Sequence, residues 1–226
     1  MGNVTADHAS PGLTLAGVVA IIRLHTHVPD DAIANALIDG GVRVLEVTLP
    51  TPGALDAIRR WSTQVGVLVG AGTVRTAPDA EAAIVAGAQF LVTPTTVPEV
   101  LRIAAASDVP VACGALSPTE IDFAWRRGAT AVKVFPISTV GGVDYLRAVR
   151  EPLDDVPLLP TGGVRLEDLI PYARMGCVGV GVGSALVSED LVAACRWETI
   201  RERAGAFATA WSHGLTSAEP VVQWDV

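Results

Sequence analysis

Lys133 sits in the run "AVKVFP", flanked by Val132 and Val134. An ammonium group in a strand apolar on both faces must be paired, neutralised or reactive. Glu46 interrupts a similar run, "VRVLEVTL". Period-two alternation puts Val44, Glu46 and Thr48 on one face of their strand, and Ala131, Lys133 and Phe135 on one face of theirs. Arg23 falls late in "VVAIIRL", Thr73 late in "VLVGAGTV" and Thr161 late in "VPLLPTGG". Two readings fit a buried Lys133 facing a buried Glu46. One is an ion pair plugging the interior, which stabilises poorly compared with apolar residues of similar volume. The other is a nucleophilic amine, its pKa lowered by desolvation and by Arg23, attended by a carboxylate that moves protons. Such an amine forms a Schiff base with a ketone, an electron sink that lets a neighbouring carbon–carbon bond break or form without a metal.

For these residues to meet, the strands that carry them must converge. Eight short Val/Ile/Leu-rich runs begin at Val18, Val42, Val67, Phe90, Pro110, Ala131, Val156 and Val178, and they alternate with Ala-rich amphipathic stretches such as 30–38, 54–61, 80–86 and 97–106. "SPTE" at 117–120 and "TVPE" at 96–99 read as capping boxes, giving Glu120 and Glu99 structural jobs. Glycines in "IDGGVRV", "VAGAQF", "RRGATAV" and "RMGCVGV" read as left-handed helix ends. The repeated βα period, with no shift in composition, predicts a single (β/α)8 TIM barrel over 17–214, with tails at 1–16 and 215–226. An open doubly wound sheet would call for a G-x-G-x-x-G loop after the first strand, which is missing. In such a barrel the active site lies at the C-terminal strand ends.

Two glycine-rich strand ends point to the substrate. "TGGV" (161–164) and "GVGS" (181–184) close the seventh and eighth strands, where barrels commonly hold a phosphate. Gly162, Gly163, Gly183 and Ser184 are the candidate ligands, with tight turns as the alternative reason for the glycines.

The 226 residues are 50% hydrophobic and 18% charged, with a formal net charge of -8. That balance argues against a nucleic-acid partner, which needs a basic surface, yet allows a local site for one small anion. Mean hydropathy is +0.43, but the apolar runs are strand-sized, well short of the roughly 20 residues of a spanning helix. No membrane association is expected. The N-terminus has no leader pattern, so a cytoplasmic protein with a short tail is expected. Cys113, Cys177 and Cys195 lack metal-ligand spacing and read as buried small apolar residues. "HTH" at His25–His27 reads as an exposed loop, with hydrogen bonding to substrate hydroxyls or metal ligation as lesser alternatives. Trp224 reads as packing against a neighbouring subunit.

"GGVRVLEVTLPTP", "GAGTV", "AGAQFLVTP", "KVFP", "PTGGV" and "GVGSAL", in this order and at barrel spacing, resemble the 2-keto-3-deoxy-6-phosphogluconate aldolase family of class I pyruvate aldolases. That family includes the 6-phosphogalactonate and 4-hydroxy-2-oxoglutarate aldolases. The resemblance spans about Gly17 to Val187 and implies a homotrimeric lyase that needs no cofactor or metal and acts on a small keto acid. It implies Lys133 as the Schiff-base residue and Glu46 as general acid/base. It also implies Thr73 at the pyruvate carboxylate, and Gly162, Gly163 and Ser184 at the phosphate. Pro94, Phe135, Thr161 and Gly183 complete the expected substrate-binding set. Pro50 stands where members often have an Arg that contacts substrate, Pro94-Thr95 where Pro-Gly is common, and Cys113 where Pro often precedes Gly114. Galactonate-type members also lack that Arg, and Arg23 can then supply the cation. The implied reaction is cleavage of a 2-keto-3-deoxy-6-phospho sugar acid to pyruvate and glyceraldehyde 3-phosphate. The alternatives are 4-hydroxy-2-oxoglutarate cleavage to pyruvate and glyoxylate, or a phosphosugar-binding barrel without catalysis.

Overall fold

A computed structural model describes residues 16–216. Eight parallel strands form one sheet: β1 (Gly17–Ile22), β2 (Val44–Thr48), β3 (Leu68–Gly72), β4 (Leu91–Val92), β5 (Val111–Ala115), β6 (Ala131–Val134), β7 (Leu158–Pro160) and β8 (Gly179–Val182). Neighbours run in the order β7-β6-β5-β4-β3-β2-β1-β8. The two edges meet through a bridge between Thr161 and Gly181 and a bond from the Val178 N–H to the Leu158 carbonyl at 3.1 Å. The sheet therefore closes into the expected (β/α)8 barrel.

The helices are α1 (Asp31–Asp39), α2 (Ala54–Trp61), α3 (Ala77–Val85), α4 (Pro98–Ala106), α5 (Pro118–Arg126), α6 (Gly142–Arg150), α7 (Leu169–Arg174), α8 (Glu189–Ala193) and α9 (Trp197–Thr216). Ser117 and Glu120 form the expected reciprocal cap of α5. "TVPE" does not cap α4. Proline favours the first helical position, which makes Val97 the N-cap and leaves Thr96 one residue too early, so its hydroxyl donates to the Gly114 carbonyl at 3.2 Å. A box that sequence reading missed, Thr76 with Asp79, starts α3 at Ala77 rather than near residue 80. Gly41, Gly87, Gly128 and Gly176 all take the left-handed conformation.

Apolar strand residues face two cores. One lies between strands and helices; the smaller one, inside the barrel, is built from Val19, Val44, Leu68, Phe90, Val92, Ala112 and Leu159. A Cβ on Gly70 would lie 2.6 Å from the Phe90 ring, so the missing side chain makes room for this aromatic plug. Val19, Val44, Leu68 and Ala112 come early in their strands, while Val92 ends β4 and Leu159 is level with Lys133. Glu46, Lys133 and Thr161 take inward positions on β2, on β6 and just past β7.

α9 runs to Thr216, past the expected barrel limit at 214, and packs on α1, α7 and β1. Residues 1–15 and 217–226, including Trp224, lie outside the described residues. Cys113 and Cys177 are buried as expected, and burial pushes the Cys177 thiol up to about 12. Cys195 is instead exposed. It occupies the turn from α8 into α9 with a left-handed φ of 50°, outside the packed layers.

Candidate active site

Strand register sets the central pair. Glu46 on β2 lies between Ile21 of β1 and Gly70 of β3, and Lys133 on β6 lies between Gly114 of β5 and Leu159 of β7. Both point into the barrel, 1% and 3% exposed. Lys133 Nζ stands 4.0 Å from Glu46 Oε1, and that oxygen, fully buried, accepts no hydrogen bond. A buried carboxylate oxygen without a partner is costly and calls for an explanation. A Cβ on Gly72 would stand 1.9 Å from Oε1, so only glycine leaves the carboxylate its place.

Burial lowers the Lys133 pKa; the Glu46 carboxylate pulls it back up and the Arg23 guanidinium pushes it down again. The first of these effects is the largest, so the amine is biased toward its neutral, nucleophilic form. The Phe135 ring lies 5.2 Å from Nζ. Of the 16 Lys and Arg residues, Lys133 is the only lysine. That fact was readable in the sequence, and it singles out the amine more sharply than its apolar neighbours do.

Arg23 follows β1 directly and is exposed at the barrel mouth, where its Nη2 donates to the Thr73 hydroxyl at 3.2 Å. The contact joins the ends of β1 and β3 across β2, the strand that carries Glu46. Thr73 has φ 58°, which is rare for a β-branched residue and marks strain of the kind found at functional sites. Pro50 lines a cavity at this mouth together with Thr73 and Arg75. Pro94, half-buried, follows the end of β4, and its carbonyl carbon would lie 2.2 Å from a Cβ on Gly114.

On the far side, Thr161 is buried and its hydroxyl donates to the Leu159 carbonyl at 3.2 Å. Gly162 and Gly163 have φ of 91° and 76°. A Cβ on Gly162 would meet the Phe135 ring at 2.9 Å, and one on Gly163 would meet Ser138 Oγ at 2.1 Å. Backbone conformation and packing thus require both glycines whether or not an anion binds, and Ser138 enters the site's surroundings without any signal in the sequence. At Gly183 a Cβ would meet nothing within 4 Å, and Ser184 beside it is exposed.

The "HTH" loop is exposed in part and also anchored. Glu189, the first residue of α8, accepts from the His25 and Thr26 N–H groups, the Thr26 hydroxyl and His27 Nδ1. Glu189 lies more than 160 positions away, so no local pattern could have linked it to the loop. Among the described residues no three His, Cys, Asp or Glu side chains cluster as a metal site.

A neutral-biased amine 4.0 Å from a carboxylate oxygen that accepts no hydrogen bond, at the C-terminal mouth of a (β/α)8 barrel, fits an aldolase of the lysine-imine class. The KDPG and KHG aldolase family model matches residues 10–203. The chain is 37% identical over 192 residues to 2-dehydro-3-deoxy-phosphogluconate aldolase of Treponema pallidum, covering 84% of this chain and 90% of that one. The solved "Native KDPGal structure" superposes with a TM-score of 0.80 at 32% identity, covering 91% and 98% of the two chains. KDPG aldolase from Legionella pneumophila, with pyruvate captured as a covalent carbinolamine, superposes with a TM-score of 0.76 at 30% identity, covering 85% and 94%. The chain belongs to the KDPG and KHG aldolase family, and it is a lyase.

Proposed function

We propose that this protein cleaves a 2-keto-3-deoxy-6-phospho sugar acid, of gluconate or galactonate type, to pyruvate and glyceraldehyde 3-phosphate through an imine on Lys133. The observation that carries this reading is the Lys133–Glu46 relationship: a buried amine with lowered pKa, 4.0 Å from a carboxylate oxygen without a hydrogen bond. The lone pair on Nζ attacks the C2 carbonyl and gives a carbinolamine. Glu46, having taken up the proton that Lys133 gives up to become a neutral amine, donates it to the carbinolamine hydroxyl as water leaves, forming the protonated imine and leaving Glu46 a carboxylate. The C4 hydroxyl then gives its proton to Glu46 as the C3–C4 bond breaks, releasing the aldehyde and sending the bonding electrons into the imine as an enamine. Protonation at C3 and hydrolysis release pyruvate and restore the amine. Arg23 and Thr73 hold the carboxylate, Phe135 and Pro94 flank the reacting carbons, and Thr161, Gly162, Gly163, Gly183 and Ser184 surround the distal phosphate.

Borohydride reduction in the presence of pyruvate tests the nucleophile. A pyruvyl adduct on Lys133 is expected, and none in an active preparation would exclude the mechanism. Since the chain has no other lysine, the N-terminal amine is the one competing primary amine.

A second substrate reading, 4-hydroxy-2-oxoglutarate cleavage to pyruvate and glyoxylate, draws support from Gly162 and Gly163, whose conformation and packing already account for them without a phosphate. Steady-state assays on the three keto acids separate the readings. We also infer a homotrimer, on the family's resemblance, and a cytoplasmic location. Among the described residues, no helix is long and apolar enough to cross a membrane.

A further inference from the structure

The loop leaving β1 is held by side chains from elsewhere in the barrel. Beyond Ile22 the backbone leaves the sheet, and its next N–H groups need other acceptors. Leu24 N–H donates to Thr51 Oγ1 at 3.1 Å. His25 N–H donates to Glu189 Oε2 at 2.8 Å and Thr26 N–H to Glu189 Oε1 at 3.1 Å. The Thr26 hydroxyl and His27 Nδ1 both lie 2.6 Å from Oε1. A ring nitrogen that close to a carboxylate carries the proton. Four donors from three consecutive residues thus converge on one carboxylate, and they hold it well below the usual carboxylate range and ionised.

Both ends of this clasp belong to the catalytic face. Arg23 immediately precedes the pinned residues, and its guanidinium reaches Thr73. On the other side, Leu186 and Val187 N–H both donate to the Gly183 carbonyl, which folds the chain tightly between Gly183 and Glu189. Thr51 holds the backbone after Arg23 from one direction and Glu189 from the other.

We propose that Glu189 is a positioning residue for the aldol reaction: by fixing residues 24–27 to the start of α8 it holds Arg23 level with Thr73, where the two grip the substrate carboxylate. This rests on the Lys133 imine reading above. A residue acting through the carboxylate site alters how much keto acid is needed, and leaves the bond-making step at Lys133 largely intact once the site is filled.

The test is borohydride trapping on the full chain as a function of pyruvate concentration. In Glu189→Ala the half-saturating pyruvate concentration should rise by about tenfold while the plateau trapping rate stays within about twofold. Glu189→Gln keeps an acceptor for Thr26 and His27 but turns an amide N–H toward the His25 N–H. It should show a smaller rise in the same direction, and it stands in if the alanine variant does not fold. In an Arg23→Met background, Glu189→Ala should add almost nothing, because its effect runs through Arg23. The proposal is overturned by unchanged half-saturation, by a full additional effect in the Arg23→Met background, or by a plateau that falls in step with a lowered Tm. Wild-type protein that never traps pyruvate would instead overturn the Lys133 reading on which this one depends.

Discussion

Glu46 Oε1 stands 4.0 Å from Lys133 Nζ, buried, and accepts no hydrogen bond. As a stabilising ion pair this would be poor design, since both groups lose their water and the contact lies at the edge of ion-pair range. As a proton carrier beside a nucleophile, the free oxygen is what the chemistry needs. Glu46→Gln removes the proton transfer while keeping shape. It should lower kcat by about 100-fold or more without unfolding the protein; kcat near the wild-type value would remove Glu46 from the mechanism.

Gly72→Ala tests the same pair from outside it. Its Cβ would stand 1.9 Å from Glu46 Oε1, so the carboxylate must move. Borohydride trapping at Lys133 should survive better than turnover, because trapping needs the carboxylate only for dehydration to the imine, whereas turnover needs it again for C–C cleavage. Equal loss of both would show that the whole mouth has been disrupted.

The buried amine makes stability depend on pH. Lys133 titrates below its ordinary 10.5 when folded, mainly through burial. Between the folded pKa and 10.5 the unfolded chain binds more protons than the folded one, so stability rises with pH across that window. Tyr172 is pushed above that range by burial and Cys177 to about 12, and no other lysine titrates there. Chemical denaturation from neutral pH to about 10.5 should therefore show wild type gaining stability relative to Lys133→Met. A flat difference would mean that Lys133 is charged in the folded protein.

Activity should carry the same signature. The acid limb of kcat/KM should report an apparent pKa below 10.5 for Lys133 in the free enzyme. Removing the Arg23 charge, as Arg23→Met, takes away its repulsion and should shift that limb toward alkaline pH, while KM for the keto acid rises.

Gly183→Ala is the cleanest probe of the phosphate loop. Gly163→Val would set a side chain against Ser138 Oγ, where even a Cβ comes within 2.1 Å, and would confuse folding with binding; at Gly183 the added methyl meets nothing within 4 Å. If Gly183 and Ser184 face the phosphate, Tm should hold while kcat/KM falls by about tenfold for the phosphorylated substrate and far less for a non-phosphorylated analogue. A uniform fall, or no phosphate preference in wild type, would favour the glyoxylate-forming reaction.

Much of this site is legible along the chain because strand alternation and the βα period are local properties. Glu46 and Lys133 can each be assigned an inward face from their immediate neighbours, and the late polar residues Arg23, Thr73 and Thr161 fall at the strand ends that a parallel barrel brings together. The Ser117–Glu120 cap is legible for the same reason, and the misread "TVPE" failed by a single residue, at a proline. Local pattern carries no information about distance across the barrel. The 4.0 Å gap, the free carboxylate oxygen and the clearance that Gly72 provides depend on how β2, β3 and β6 close around the interior. Glu189 is the extreme case: it reaches the loop after Arg23 from the opposite end of the chain, because closure sets β8 beside β1.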